Sequence, residues 1–167
     1  MDVIATSLTI MHDEYIQDQW PEEGTYCWGC GKNNKHGLQL KSYWDDDEAI
    51  AEWKPKDHHL AFPGILNGGI IATLIDCHGT GSANAAAHKA AGDSDQHFMY
   101  VTAAISVKYI RPTPLNTPVT LRARIIEMGN DKIKVSCDLY SGDMKCATGE
   151  VVTVRVDLDT FLKIEKK

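Results

Sequence analysis

FPGILNGGIIATLIDCHG, residues 62–79, breaks the chain with a turn at Pro63-Gly64, sets Asn67 ahead of Gly68-Gly69, and then runs apolar to a single acid, Asp76. The stretch continues through TGSANAAAHKAAG, with Ile70 and Leu74, and Ile71 and Ile75, at i, i+4 spacing. That period predicts a helix from Asn67 to about Ala91. Asn67 is a good N-cap residue, and Gly92-Asp93 forms a stop. Gly79 and Gly81 fall mid-helix, where each costs on the order of 1 kcal/mol relative to Ala if exposed. Small residues there allow the helix to pack closely against a sheet.

On either side of the helix the period changes to two. Leu38 to Trp44 and Ala49 to Trp53 read as strands joined by a turn at Asp45-Asp46-Asp47. After the helix, Val101, Ala103, Ile105, Val107 and Tyr109 alternate with Thr102, Ser106 and Lys108. Val119 to Ile125 and Ile133 to Leu139 alternate likewise, and a last strand runs from about Met144 to Asp157. The links are short (Pro112-Thr113-Pro114, Gly129-Asn130, Ser141-Gly142-Asp143), which predicts neighbouring antiparallel strands, a four-strand meander. The expected fold class is α+β: a curved antiparallel sheet wrapped around one long central helix. Ile10 to Trp20, closed by Pro21, predicts a short helix in an N-terminal extension, residues 1–24. The main domain is residues 25–160, and residues 161–167 form a tail.

Composition narrows the function. With 167 residues, 43% hydrophobic and 24% charged, one globular domain with a real core is expected. A net charge of -6 and the absence of an arginine-rich tract argue against a nucleic-acid partner. No stretch reaches the roughly 18 apolar residues of a membrane span. The N-terminus has no basic segment followed by an apolar run. Together with the odd number of cysteines, 5, this predicts reduced thiols and a cytoplasmic protein.

The helix start carries the chemistry. The amides of Gly68 and Gly69 have no partner inside the helix. Without a Cβ a ligand can approach that backbone closely, and the helix dipole adds partial positive charge. The result suits an anion, or an oxygen that becomes anionic during reaction. Asp76 lies roughly 10 to 12 Å further along the axis. One carbonyl therefore cannot touch both groups of the same helix. Two such helices antiparallel across a two-fold axis bring each acid to the other chain's glycines, so a catalytic site here requires a dimer, alone or paired into a dimer of dimers.

The same residues resemble the signature of hotdog-fold acyl-CoA thioesterases, in the branch that includes phenylacetyl-CoA thioesterase. That branch reads His-Gly-Gly, six residues, then Asp; here Asn67-Gly68-Gly69 is followed by Ile70 to Ile75 and Asp76. CWGCGKNNKHGLQL resembles the Cys-x-Gly-Cys-Gly…Gly-Leu openings of such proteins, and VKYIRPTPL their strand ending in Tyr-x-Arg-Pro. The resemblance runs from about residue 25 to 157 and implies thioester hydrolysis. It makes Asp76 general base or nucleophile and gives the thioester oxygen to the Gly68 or Gly69 amide. A hydroxyl on the strand after the helix, Thr102 here, orients water. Two positions depart from the pattern. Asn67 replaces the motif His and cannot shuttle protons near neutral pH, and Ala61 stands where some members carry Asn.

Other residues are candidates of a weaker kind. His58 and His59 precede the helix and, with Phe62, could flank a substrate pocket. Arg111 and Lys108, then Lys54 and Lys56, are placed to meet coenzyme A phosphates, for which arginine's fork of donors is suited. Coenzyme A is expected only as part of the substrate, with no further cofactor. Cys27-x-x-Cys30 prompts a metal test. Structural zinc takes four ligands, usually two such pairs; no second pair exists and His36 is the only nearby extra ligand, so no metal is expected, and the pair fits a tight Trp-Gly turn. Cys77, beside Asp76, reads as core because adjacent helix positions point about 100° apart. Two other functions remain open: a non-catalytic acyl-CoA-binding module of the same fold, and a dehydratase, prompted by His59…Phe62-Pro63-Gly64.

Overall fold

Helix α1 spans Gly68–Ala91 and is the element around which the chain is wound. The computed structural model describes residues 14–92 and 97–163. Asn67 caps the helix with its side chain, and Gly92 ends it at φ 65°, a conformation that glycine adopts at no steric cost. The strands are β1 (Ser42–Asp45), β2 (Glu48–Trp53), β3 (Phe98–Tyr109), β4 (Val119–Met128), β5 (Lys132–Ser141) and β6 (Met144–Asp157). They form one antiparallel sheet in the order β1-β2-β4-β5-β6-β3, and α1 packs against its inner face. This is the hotdog architecture.

The order corrects the expected four-strand meander. Only β4, β5 and β6 follow one another; β3 pairs with β6 at the far edge. The cause is the link after β3. It is stiffened by Pro112 and Pro114 and passes around the tip of the β5–β6 hairpin instead of turning back. The amides of Ile110 and Arg111 both donate to the Cys146 carbonyl, at 2.8 and 3.1 Å, which ties the link to that hairpin.

Alternation holds where a strand is paired on both sides. Ile133, Val135, Cys137 and Leu139 are all fully buried. It fails on β3, whose register with β6 shifts between Thr102 and Ala104. This bulge leaves Ala103 without a partner and changes which side chains face inward. Ala103, Ile105 and Tyr109, expected inside, are exposed.

At the N-terminus, the expected helix from Ile10 to Trp20 is a 3-10 turn at Ile16–Gln19, followed by another at Glu22–Tyr26; residues 10–13 lie outside the described residues. The strand expected from Leu38 starts only at Ser42. Leu38 and Leu40 use their amides on Trp28 and Gly29 carbonyls, at 2.8 and 3.1 Å, which folds the lead-in back on itself. A short helix α2, Leu158–Leu162, capped by Asp157, crosses the expected start of the tail at 161. Among the described residues no helix is long and apolar enough to cross a membrane.

Helix and sheet interlock through two glycines. A Cβ on Gly79 would lie 2.7 Å from Val151 Cγ2 and 2.9 Å from Val151 Cβ; one on Gly149 of β6 would lie 2.7 Å from Ile75 Cγ2. Each element thus drops a branched side chain into the other's glycine. An adjoining face of α1 carries a buried polar relay. Gln17 Nε2 donates to Ser42 Oγ at 3.0 Å, Ser42 Oγ bonds His78 Nδ1 at 2.8 Å, and His78 Nε2 meets the Ala49 carbonyl at 2.9 Å. A carbonyl only accepts, so Nε2 carries the proton and Nδ1 accepts from Ser42. Burial pushes the His78 pKa down to about 4, in keeping with that neutral ring.

The interlock sets opposite outcomes for two neighbouring substitutions. Gly79→Ala gains about 1 kcal/mol in helix propensity but forces a branched Cβ aside, and overpacking costs about 1 to 3 kcal/mol. Net destabilisation is expected in urea unfolding. Gly81→Ala, whose added carbon would sit 3.4 Å or more from Gln17, Ile16 and Trp20, is expected to be neutral or stabilising. Equal effects from the two would dismiss the interlock.

Candidate active site

One face of α1 is polar. Asp76, Thr80 and Asn84 stand at successive i+4 positions and all meet β3. Thr102 Oγ1 donates to Asp76 Oδ1 at 2.6 Å, and Thr80 Oγ1 lies 2.6 Å from Thr102 Oγ1. Thr102 has a single hydroxyl proton, already given to Asp76, so Thr80 donates to Thr102. Asn84 takes both backbone groups of Tyr100, accepting from its amide and donating to its carbonyl, each at 2.8 Å. The β3 bulge follows directly after Thr102 and leaves its hydroxyl aimed at the helix.

Asp76 is half-buried. Burial raises its pKa above the usual carboxylate value; the hydrogen bond from Thr102 opposes this, and Cys27 adds to the rise. A carboxylate held this way is more basic than a solvated one, which suits proton abstraction from water. It lines a cleft with Trp20, Cys27, Cys77, Thr80 and Thr102.

The helix start is organised differently from expectation in one respect. Asn67 Oδ1 accepts from the Gly69 amide at 2.8 Å and the Ile70 amide at 3.3 Å. The Gly69 amide is therefore engaged by the cap, and only the Gly68 amide lacks an acceptor among the described residues. Tyr109 donates to the Gly68 carbonyl at 2.6 Å, so the end of β3 braces the first turn.

The remaining candidates are scattered. His59 is buried, its Nδ1 accepts from the Lys56 amide at 2.9 Å, and its ring lies against Trp53. Burial lowers its pKa, so it supports the loop before the helix. Phe62 is 72% exposed at that same end, free of the core. Arg111 Nη1 donates to the Lys145 carbonyl at 2.9 Å, bracing the link after β3. Lys108, Lys54, Lys56 and His58 are exposed. The acid and its hydroxyl are thus brought together, while the glycines lie at the other end of the same helix turns. Sequence reasoning missed Thr80 and Asn84, although their spacing from Asp76 carried the signal: three polar residues four apart in a helix rich in small residues.

Comparison with known proteins adds a family. A model described as the thioesterase superfamily matches residues 63–148. A solved thioesterase superfamily protein from Shewanella loihica is 41% identical, covering 74% of this chain and 96% of its own, with a TM-score of 0.59. Acyl-coenzyme A thioesterase THEM4 of Bos taurus is 29% identical over 115 residues, 69% of this chain but 43% of its own length. The chain therefore spans less than half of that curated relative. The Escherichia coli PaaI protein of the phenylacetic acid degradation operon, 16% identical with a TM-score of 0.60, covers 71% of this chain and 80% of its own and shares the fold.

The cap can be separated from any role of Asn67 in chemistry. Asn67→Ala is expected to cost about 1 kcal/mol in unfolding free energy, while Asn67→Asp, whose carboxylate can accept the same two amides, keeps it. Equal stability of all three proteins in chemical denaturation would show that the side chain does not hold the helix start.

Proposed function

Because this chain belongs to the thioesterase superfamily, we propose that it hydrolyses an acyl-CoA thioester to a free acid and coenzyme A. The observation that carries the proposal is the half-buried Asp76 with the Thr102 hydroxyl 2.6 Å from its carboxylate. Asp76 acts as general base on water or attacks the thioester carbonyl itself. Thr102, supported by Thr80, orients the carboxylate and the water. The Gly68 amide, at the positive end of the helix dipole, stabilises the oxygen of the tetrahedral intermediate. Asn67 holds that backbone in place by capping the two amides after it.

Gly68 and Asp76 stand roughly 12 Å apart along one axis, too far for one carbonyl, so the site is shared between two copies of the chain. Two features support a two-fold pairing along β3. Its outer edge is closed at Tyr100 by Asn84, yet no described strand pairs with it beyond Thr102. Ile105 and Tyr109 on that strand are 41% and 52% exposed, apolar surface that a second copy would cover. Arg111 and Lys108 at the end of β3 are placed to meet the phosphates of coenzyme A. Five free cysteines fit a reducing cytoplasm. A binding module without turnover is the second reading, favoured by Asn67, whose side-chain oxygen is committed to the cap.

A thiol-release assay over a panel of aromatic and medium-chain acyl-CoA substrates separates these readings. Asp76→Asn is expected to lower kcat/KM by about 10²- to 10⁴-fold with an unchanged fold. Binding without turnover in the wild-type protein would leave the module, and a loss of only a few-fold in the variant would remove Asp76 from the chemistry.

The shared site has its own test. Gly68 is the first helical residue, where proline is tolerated, and Asn67 is already extended at ψ 132°, as a residue before proline must be. Gly68→Pro therefore deletes the open amide with the helix intact, and is expected to lower kcat by on the order of a hundredfold or more. Mixed with Asp76→Asn, it should restore up to about a quarter of wild-type activity, since half of randomly assorted dimers are mixed and each has one intact site. No recovery, with subunit exchange demonstrated, would mean that each site takes both groups from one chain, so that the two defects fall in separate sites and break both.

A further inference from the structure

Cys77 does not simply fill core beside Asp76. The sulfurs of Cys27, Cys30 and Cys77 all lie within 4.8 Å of one another, with Cys27 and Cys77 3.9 Å apart. The metal expectation drawn from the sequence counted two sulfurs; the fold supplies a third from a position fifty residues further along the chain.

The loop that presents the first two is shaped around them. A Cβ on Gly29 would lie 2.3 Å from the Cys77 sulfur, and one on Gly31 would strike Cys27 backbone atoms at 2.5 and 2.6 Å. Any side chain at position 29 would occupy the space into which the sulfurs converge. The Gly31 amide closes the turn onto the Cys27 carbonyl at 2.7 Å. The Trp20 indole N–H, buried and without a hydrogen-bond partner among the described residues, lines the same cleft as Cys27, Cys30 and Cys77. A tight, glycine-shaped turn that holds two sulfurs toward a third supplies the fixed ligand geometry that a thiolate metal site needs.

We propose that Cys27, Cys30 and Cys77 bind one zinc ion, with a fourth position open toward the cleft that holds Asp76. In a tetrahedral site with Zn–S bonds of about 2.3 Å the sulfurs stand about 3.8 Å apart, a spacing the Cys27–Cys77 pair already has. Three protein ligands leave the fourth place to solvent or a cleft ligand. Cys27 is the exposed member of the set, so solvent reaches that place directly. Thiolates select zinc over magnesium or calcium, and uptake displaces the remaining thiol protons into solvent. The ion ties the lead-in to the middle of α1. His36 is exposed, outside the cluster.

The full chain, purified without a metal-binding tag or chelator and dialysed against micromolar free zinc, is expected to hold about one zinc per chain by elemental analysis. Cobalt in its place should give intense sulfur-to-cobalt charge-transfer absorption. Cys27→Ser, at a surface position, is expected to fold normally and to lower zinc affinity by at least about tenfold, with the charge-transfer bands weakened. Cys77→Ser should do the same, and Cys30→Ser substitutes for it should Cys77→Ser not fold. Zinc content unchanged in Cys27→Ser overturns the proposal. So does a wild-type protein that takes up no zinc while alkylation and mass measurement show its three thiols reduced.

Discussion

The depth to which α1 sinks into the sheet governs this molecule. Gly79 admits Val151, and Gly149 admits Ile75, so the helix is locked against β6 in both rotation and translation. Once that contact is set, three successive residues have no choice of direction, because neighbours on a helix point about 100° apart. Asp76 faces Thr102 on β3, Cys77 faces Gly29 and the lead-in, and His78 faces Ser42 and Ala49 at the first hairpin. A helix packed on several sides has no single apolar stripe, and Asp76, His78, Thr80, Ser82 and Asn84 are each answered by a specific partner. A wider gap between helix and sheet would lengthen all three contacts together.

At Asp76 two opposing influences are balanced. Burial makes the carboxylate harder to ionise, and the hydrogen bond from Thr102, itself supported by Thr80, makes it easier. The acid stays above its ordinary pKa yet is held by a donor, so it is both basic and fixed in direction. The hydroxyl pair belongs to two different elements, and the bulge after Thr102 is what lets an edge strand send a polar side chain inward at that point.

Much of this was legible in the residues. The helix limits, the cap at Asn67, the stop at Gly92, the span of β6 and the placement of Thr102 near Asp76 all follow from period, capping chemistry and family resemblance. What was not legible shares one cause: it depends on contacts distant in sequence. Nothing in residues 110–118 announces that β3 will pair with β6, since a proline-stiffened link reads as a turn until the hairpin it passes around is in place. The exposure of Ile105 and Tyr109 follows from a bulge that the alternating pattern conceals. The approach of Cys77 to Cys27 depends on a loop seated on the helix by Gly29. The polar stripe of Asp76, Thr80 and Asn84, by contrast, was readable from spacing alone.

The sheet order also dictates the sequence of events by which the chain must assemble. β3 is complete at residue 109, but the strand it pairs with ends at residue 157. A nascent chain that has emitted α1 and β3 holds an apolar helix with only the first hairpin to cover it, and a strand with neither edge paired. β2, likewise, finds β4 only some seventy residues later. Closure of the sheet is therefore a late, non-local step, which slows folding and lengthens the time during which Ile71, Leu74 and Ile75 stand open to other chains. The polar contacts able to hold β3 against α1 before β6 arrives are those of Asn84 with Tyr100, of Asp76 and Thr80 with Thr102, and of Tyr109 with the Gly68 carbonyl.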